Sequence, residues 1–312
     1  VRVVFLGSGS FAIPSFEALL EAGHDVVALV TQPDKASGRG REVQPPPLKP
    51  IALARGVPVL QPRRVRAPES EAALRTLLPD VQVVVAYGQI LPKAVIEIPR
   101  LGTVNVHGSL LPRLRGAAPI QWAIEQGLEE TGVTTMLIDE GLDTGPILLA
   151  RRTRIEPTET AGELEPRLAR LGAEALLDTL RGLSAGTLRA EPQDAARASH
   201  APLIRKEDGR IDWERPASAL ARRVRAFHPW PGTSTGLSGR GLKVLRARAE
   251  EGPPHASAAG TVLRVGRGGV VVACGEGTAL LLMEVQPESR RAMDAFAFAA
   301  GARLAPGARF DS

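Results

Sequence analysis

The chain has 312 residues, of which 44% are hydrophobic and 23% charged, with a formal net charge of +5. The length points to two domains and the composition to an ordinary soluble globular protein. No apolar run approaches the ~18–20 residues that a membrane-spanning helix needs, and the single cysteine, Cys274, excludes an internal disulfide.

In chain order, Val1–Leu6 reads as a short strand and not as a signal peptide: it carries Arg2, has no long apolar core and shows no cleavage pattern. Cytoplasmic residence is therefore expected, in agreement with a lone cysteine set in the apolar run Val270–Ala273. Short apolar runs then alternate with helix-like stretches. Strands are expected at Val3–Leu6, Val26–Val30, Pro58–Leu60, Val81–Ala86 and Thr103–Val106, and helices at Pro14–Ala22, Pro47–Arg55 and Glu69–Leu78. That rhythm predicts an α/β fold with a doubly wound, Rossmann-like parallel sheet. Further strands are expected at Gly132–Ile138 and Ile147–Arg152, and helices at Ile120–Gln126 and Thr160–Leu183. Gly172 is the weak point of the last helix.

After residue 189 the pattern changes. Residues 190–206 lack apolar periodicity and read as a linker between a domain 1–189 and a domain 207–312. The second domain opens with a helix at Ala217–Ala226. Short strands follow at Leu242–Ala249, Gly260–Val265, Val270–Ala273 and Ala279–Val285, separated by glycines, and then a helical segment at Ala292–Ala300. This spacing predicts a small, OB-like β-barrel. Charge divides along the same line. Residues 1–189 hold 21 basic and 21 acidic residues, and 207–312 hold 15 against 11, so the surplus that would meet a polyanion lies C-terminally.

Gly7-Ser8-Gly9-Ser10-Phe11-Ala12 stands where a dinucleotide-binding glycine loop would stand. The second strand ends in Val30-Thr31-Gln32 without an acid for a ribose hydroxyl, so a tight strand-to-helix turn explains it better. More informative is Asn105-Val106-His107-Gly108-Ser109-Leu110-Leu111-Pro112. Two residues apart at a strand end, Asn105 and His107 leave one face, at the carboxyl end of a strand, where ligands bind in an open α/β sheet. Asp143, in the Gly-bracketed loop Gly141–Gly145, is placed to reach His107, fix its tautomer and stabilise its protonated form. An acid/base histidine, an orienting carboxylate and an amide donor suit direct transfer of an acyl-type group to an amine. No metal site is expected, since the other histidines are scattered and no cysteine cluster exists.

The same string, continued by Arg115-Gly116-Ala117-Ala118-Pro119-Ile120 and by Gly141-Leu142-Asp143-Thr144-Gly145, resembles the folate-dependent formyltransferases over nearly the whole chain. Within that family it resembles the members that act on an aminoacylated tRNA. The resemblance implies catalytic roles for Asn105, His107 and Asp143. It implies folate contact for Ser109, Leu110, Leu111 and Pro112, with Ala86-Tyr87-Gly88 and Ile90-Leu91-Pro92 near the folate ring. It implies tRNA contact through a basic loop, with Lys35, Arg39 and Arg41. The implied donor is 10-formyltetrahydrofolate and the implied acceptor is methionyl initiator tRNA, handled by a monomer without a metal. The motif Arg225–Gly232 matches the start of the family's C-terminal domain, and Arg222, Arg223 and Arg225 are candidate contacts to an RNA backbone. Two departures are visible: Val1 stands first, and the basic loop is Arg-rich where Lys is often seen. The competing expectations are a formyltransferase for a sugar or small ribonucleotide amine, a non-catalytic RNA-binding protein, and a nicotinamide dehydrogenase resting on Gly7–Ala12 alone.

Overall fold

A computed structural model describes residues 1–37 and 42–311. It contains two compact units. The first comprises Val1–Pro119, Glu130–Arg154 and Glu165–Ala201; the second comprises Ile120–Glu129, Ile155–Leu164 and Pro202–Ser312. The segment 190–201 therefore counts with the first unit.

The first unit is built on strands β1 (Arg2–Gly7), β2 (Asp25–Val30), β3 (Lys35–Ser37), β4 (Glu42–Gln44), β5 (Val59–Leu60), β6 (Val81–Val85), β7 (Thr103–His107), β8 (Glu130–Leu137) and β9 (Ile147–Arg154). Seven of them form one sheet in the order β5-β2-β1-β6-β7-β8-β9. The five from β5 to β7 are parallel, as the β-α-β rhythm predicts. Their runs are apolar throughout because both faces are covered. Val3, Phe5, Val83, Val85, Val104 and Val106 enter one core with Phe16, Leu176 and Leu180. Val4, Leu6 and Val84 enter another with Leu74 and Val95. β8 and β9 run antiparallel to their neighbours. The loop between them, residues 138–146, is too short for the crossover that parallel strands require. The outer strand β9 protects its edge with Arg151, Arg152 and Arg154, of which Arg151 pairs with Glu174 at 2.9 Å.

The helix Ala161–Ala185 crosses behind β7. Gly172 is not a weakness there. A Cβ on it would lie 2.9 Å from Val106 Cγ1, so glycine permits the helix to approach the strand. Alanine would gain about 1 kcal/mol of helix propensity and lose roughly 1–3 kcal/mol to overpacking against a stiff β-branched side chain. Gly172→Ala is expected to lower the thermal midpoint; a rise would mean that the space exists.

The second unit has a six-stranded antiparallel sheet: β10 (Thr233–Leu237), β11 (Arg240–Glu250), β12 (Val262–Gly266), β13 (Gly269–Ala273), β14 (Ala279–Pro287) and the two-residue β15 (Met293–Asp294). The order is β10-β11-β14-β13-β12, with β15 on β14. β10 escapes sequence reading because Thr-Ser-Thr-Gly-Leu shows no apolar alternation. The two edges of this path, β10 and β12, are joined by the C-terminal tail. Asp311 N–H donates to Gly236 (2.9 Å), Val262 N–H to Ala308 (2.7 Å) and Phe310 N–H to Gly260 (2.9 Å). Phe310 is buried against Trp213, ring centroids 5.7 Å apart. Cys274 is buried, which pushes its thiol up to about 12 and leaves it protonated at neutral pH.

The guanidiniums expected to face RNA are used inside this unit. Arg223 donates to Asp208 (2.6 Å) and to the buried carboxylate of Glu125 (3.1 Å), which also receives Arg215 at 3.1 Å. Arg222 donates to the Glu125 carbonyl at 3.1 Å and Arg225 to the Glu159 carbonyl at 2.9 Å. Burial holds Arg223 and Arg225 below the ordinary arginine range. Nothing in their spacing in the sequence points to these partners, which only packing brings together. Among the described residues, no helix is long and apolar enough to cross a membrane.

Candidate active site

The alternation of β7 sets the site. Val104 and Val106 point into the core, so Asn105 and His107 point to the opposite face, at the carboxyl end of the strand. Asp143 arrives from the β8–β9 loop and lies against both. Its Oδ1 is 3.5 Å from Asn105 Nδ2, and its Oδ2 is 3.6 Å from His107 Nδ1. The three residues named from the sequence thus converge. His107 is 6% exposed and Asp143 14% by side chain, so both sit where water screens little.

The tautomer of His107 is set by a group that the sequence did not point to. A carbonyl can only accept, so Nε2 carries a hydrogen and donates it to Leu114 O at 2.9 Å. That leaves Nδ1 facing Asp143. Asp143 is held in turn by the Gly116 N–H, which donates to Oδ2 at 2.8 Å. Gly116 has φ +120, and a Cβ there would lie 2.6 Å from the Ala201 carbonyl, so only glycine brings this N–H to the carboxylate. Three non-glycine residues of this region, Ala86, Leu114 and Asp143, also adopt positive φ (47, 59 and 53). Such conformations are costly and persist where the surroundings enforce them, often at functional sites.

The loop after β7 is shaped by Thr134, the β8 residue paired with His107. Its hydroxyl donates to Ser109 O (2.7 Å) and accepts from Leu111 N–H (3.1 Å). The four residues expected to touch folate divide accordingly. Ser109 is buried, its hydroxyl donating to Arg113 O at 2.6 Å, and Leu111 is buried as well. Leu110 and Pro112 stay half-buried at the surface of the loop. Beside them, after β6, Ala86, Gly88 and Ile90 are exposed, Ile90 by 87%. Apolar surface next to a polar trio fits a flat heterocycle with a reactive substituent. Tyr87 turns away into the core, which pushes its hydroxyl up to about 12, while its carbonyl accepts from Ser8 Oγ (3.3 Å) and Gln32 Nε2 (3.0 Å). The Gly7–Ala12 turn is thereby tied to the protein's own groups.

Of the basic loop, Lys35 lies exposed on β3, while Arg39 and Arg41 fall outside the described residues. Its base is anchored by Asp34, which accepts from Lys49 (2.8 Å) and Gln61 (2.6 Å).

Comparison with known proteins decides the family. Residues 1–180 match the model of the formyl transferase family, and residues 203–303 match that of the formyl transferase C-terminal domain. The chain belongs to the formyl transferase family. Among proteins similar to this family member, the methionyl-tRNA formyltransferase of Myxococcus xanthus is 54% identical over 308 residues, covering 99% of this chain and 97% of its own. That of Geobacter metallireducens is 49% identical over 311 residues, covering 99% and 98%. Among solved structures, the sugar 3N-formyl transferase WlaRD superposes with a TM-score of 0.68 at 16% identity, covering 93% of this chain and 99% of its own. HypX from Aquifex aeolicus, solved with tetrahydrofolic acid, gives 0.62 at 18% identity, covering 98% of this chain; the chain spans 48% of HypX. At these identities the two structures speak for the formyl transferase fold alone.

Proposed function

We propose that this chain transfers a formyl group from 10-formyltetrahydrofolate to the α-amine of methionyl initiator tRNA. The observation that carries the reading is near-full-length similarity, at 54% identity, to a methionyl-tRNA formyltransferase. The convergence of Asn105, His107 and Asp143 supports it chemically.

The donor supplies the formyl carbon as an N-formyl group. Asn105 offers its side-chain amide to the oxygen on which negative charge grows as the amine attacks. Transfer also requires the amine nitrogen to lose a proton and the donor nitrogen to gain one. His107 Nδ1 and the Asp143 carboxylate lie 3.6 Å apart and are the acid–base groups placed to serve both needs. Leu110, Pro112, Ala86, Gly88 and Ile90 offer the apolar surface for the folate, with Ser109 and Leu111 shaping that loop from inside. We assign the acceptor to Lys35, Arg39 and Arg41 together with the second unit, and propose a cytoplasmic monomer.

A second basic run supports an RNA acceptor. Arg63, Arg64 and Arg66 are exposed just past the carboxyl end of β5, neighbour to the β2 end from which the Lys35 loop departs. Among the described residues none of the three has an ion pair. The run is anchored by buried Val65, whose N–H donates to Gln89 Oε1 at 2.8 Å. Side-by-side assays with charged initiator tRNA and with a sugar amine test the reading, which fails if only the sugar is formylated. Alanine at Lys35, Arg39 and Arg41, or at Arg63, Arg64 and Arg66, is expected to raise KM for tRNA. Removing one cation that neutralises a phosphate should flatten the log–log salt dependence by about 0.7–0.9, with folate binding unchanged.

A further inference from the structure

Gln193 lies in the segment that sequence pattern marks as a linker, 50 positions beyond Asp143 in the chain. The segment is laid down firmly on both sides of it. Glu191 bridges Ile147, with N–H to carbonyl distances of 2.7 and 2.8 Å, and His200 bridges Arg115. Between these anchors the Gln193 side chain meets two opposite demands. Its Oε1 accepts from Arg115 Nε (3.0 Å) and Nη2 (2.7 Å). Its Nε2 donates to the carbonyls of Asp143 (2.9 Å) and Gly145 (2.7 Å). A guanidinium only donates and a carbonyl only accepts, so the orientation of the amide is unambiguous.

Arg115 is 8% exposed and, among the described residues, has no carboxylate partner; Gln193 is what satisfies it. A charged donor on the amide oxygen polarises the amide and strengthens what its NH2 donates. Those donations fall on the main chain of the very residue held at φ +53, whose carboxylate takes the Gly116 N–H and faces His107. We propose that Gln193, polarised by Arg115, is a positioning residue that holds Asp143 in its working geometry. The proposal rests on the formyl-transfer reading above. A displacement of about 1 Å at a reacting group is enough to cost on the order of 10²-fold in rate.

Gln193→Glu is the discriminating change. It is isosteric and keeps both bonds from Arg115, now as an ion pair, but it turns an oxygen toward two carbonyl oxygens. The expected result is a fall in kcat of about 10- to 100-fold, with KM for tRNA and folate held within about threefold and a lowered thermal midpoint, since the Asp143 and Gly145 carbonyls lose their donor. The same change made on an Asp143→Asn background should cost less than about threefold in single-turnover rate, because a residue that acts through Asp143 has little left to act on. Hydrogen exchange at the Gly116 amide should speed up in Gln193→Glu, which reads the carboxylate's position without any assay of activity. Equal losses in both backgrounds, an unaltered kcat, or unaltered exchange at Gly116 would each overturn the proposal. Should the glutamate variant not fold, Gln193→Asn, one methylene too short to reach both partners, enters the same cycle. Absence of transfer by the wild-type protein would instead count against the functional reading, and the exchange measurement would still decide the role of Gln193.

Discussion

Alanine at Asn105, His107 or Asp143 is expected to lower single-turnover formyl transfer by roughly 10²–10⁴-fold each, with the protein still folded. The three changes remove different things. Asn105→Ala deletes the amide donor next to Asp143 and leaves the His107–Asp143 pair in place. His107→Ala removes the group that carries the proton and leaves the Leu114 carbonyl without its donor, so a loss of about 1–3 kcal/mol in stability should accompany the loss of rate. Asp143→Ala removes the anion facing Nδ1 and strands the Gly116 N–H. Because the groups act on one reaction centre, double changes should cost little more than the worst single one. Circular dichroism separates folding from chemistry in each variant. Rates like those of the wild type in all three would remove the assignment of the site.

Phe310→Ala is expected to destabilise the second unit by about 3–5 kcal/mol, the range for truncating a buried aromatic side chain. Phe310 is 2% exposed, stacks on Trp213, and sits on the tail whose backbone joins β12 to β10. Its removal opens a cavity beside Trp213 and loosens the tail that covers two strand edges. The three tryptophans, Trp122, Trp213 and Trp230, all belong to the second unit, so fluorescence in a urea titration reports on that unit selectively. The fluorescence midpoint should move to lower urea while far-ultraviolet signal from the first unit persists. An unmoved midpoint would show that the tail contributes nothing to closing the barrel.

Much of the first unit was legible because its signals are local. Strands buried on both faces must be apolar throughout, and helices between them must be amphipathic, so the order of elements can be read from the chain. The same holds for Asn105 and His107: a period of two places them on one face whatever surrounds the strand. The hairpin of β3 and β4 and the strand β10 were not legible, since they are short and carry no apolar alternation. The antiparallel run of β8 and β9 depends on how the chain returns and not on any residue within them.

By itself the sequence determined the class of fold, the polar pair at the end of β7, the acidic loop that answers it, and the resemblance to formyltransferases. Only the tertiary structure decided how those groups are used. It gave the Nε2 hydrogen of His107 to the Leu114 carbonyl, Asp143 to the Gly116 N–H, and the main chain at Asp143 to Gln193. It turned Gly172 from a weak point into a close approach, and it engaged the half-buried Arg223 and Arg225, candidate RNA contacts, with Glu125 and Glu159. The reason is physical. Periodicity reports which face a side chain leaves by, whereas hydrogen-bond partners and packing distances arise between segments far apart in the chain, and nothing in the local pattern encodes that meeting.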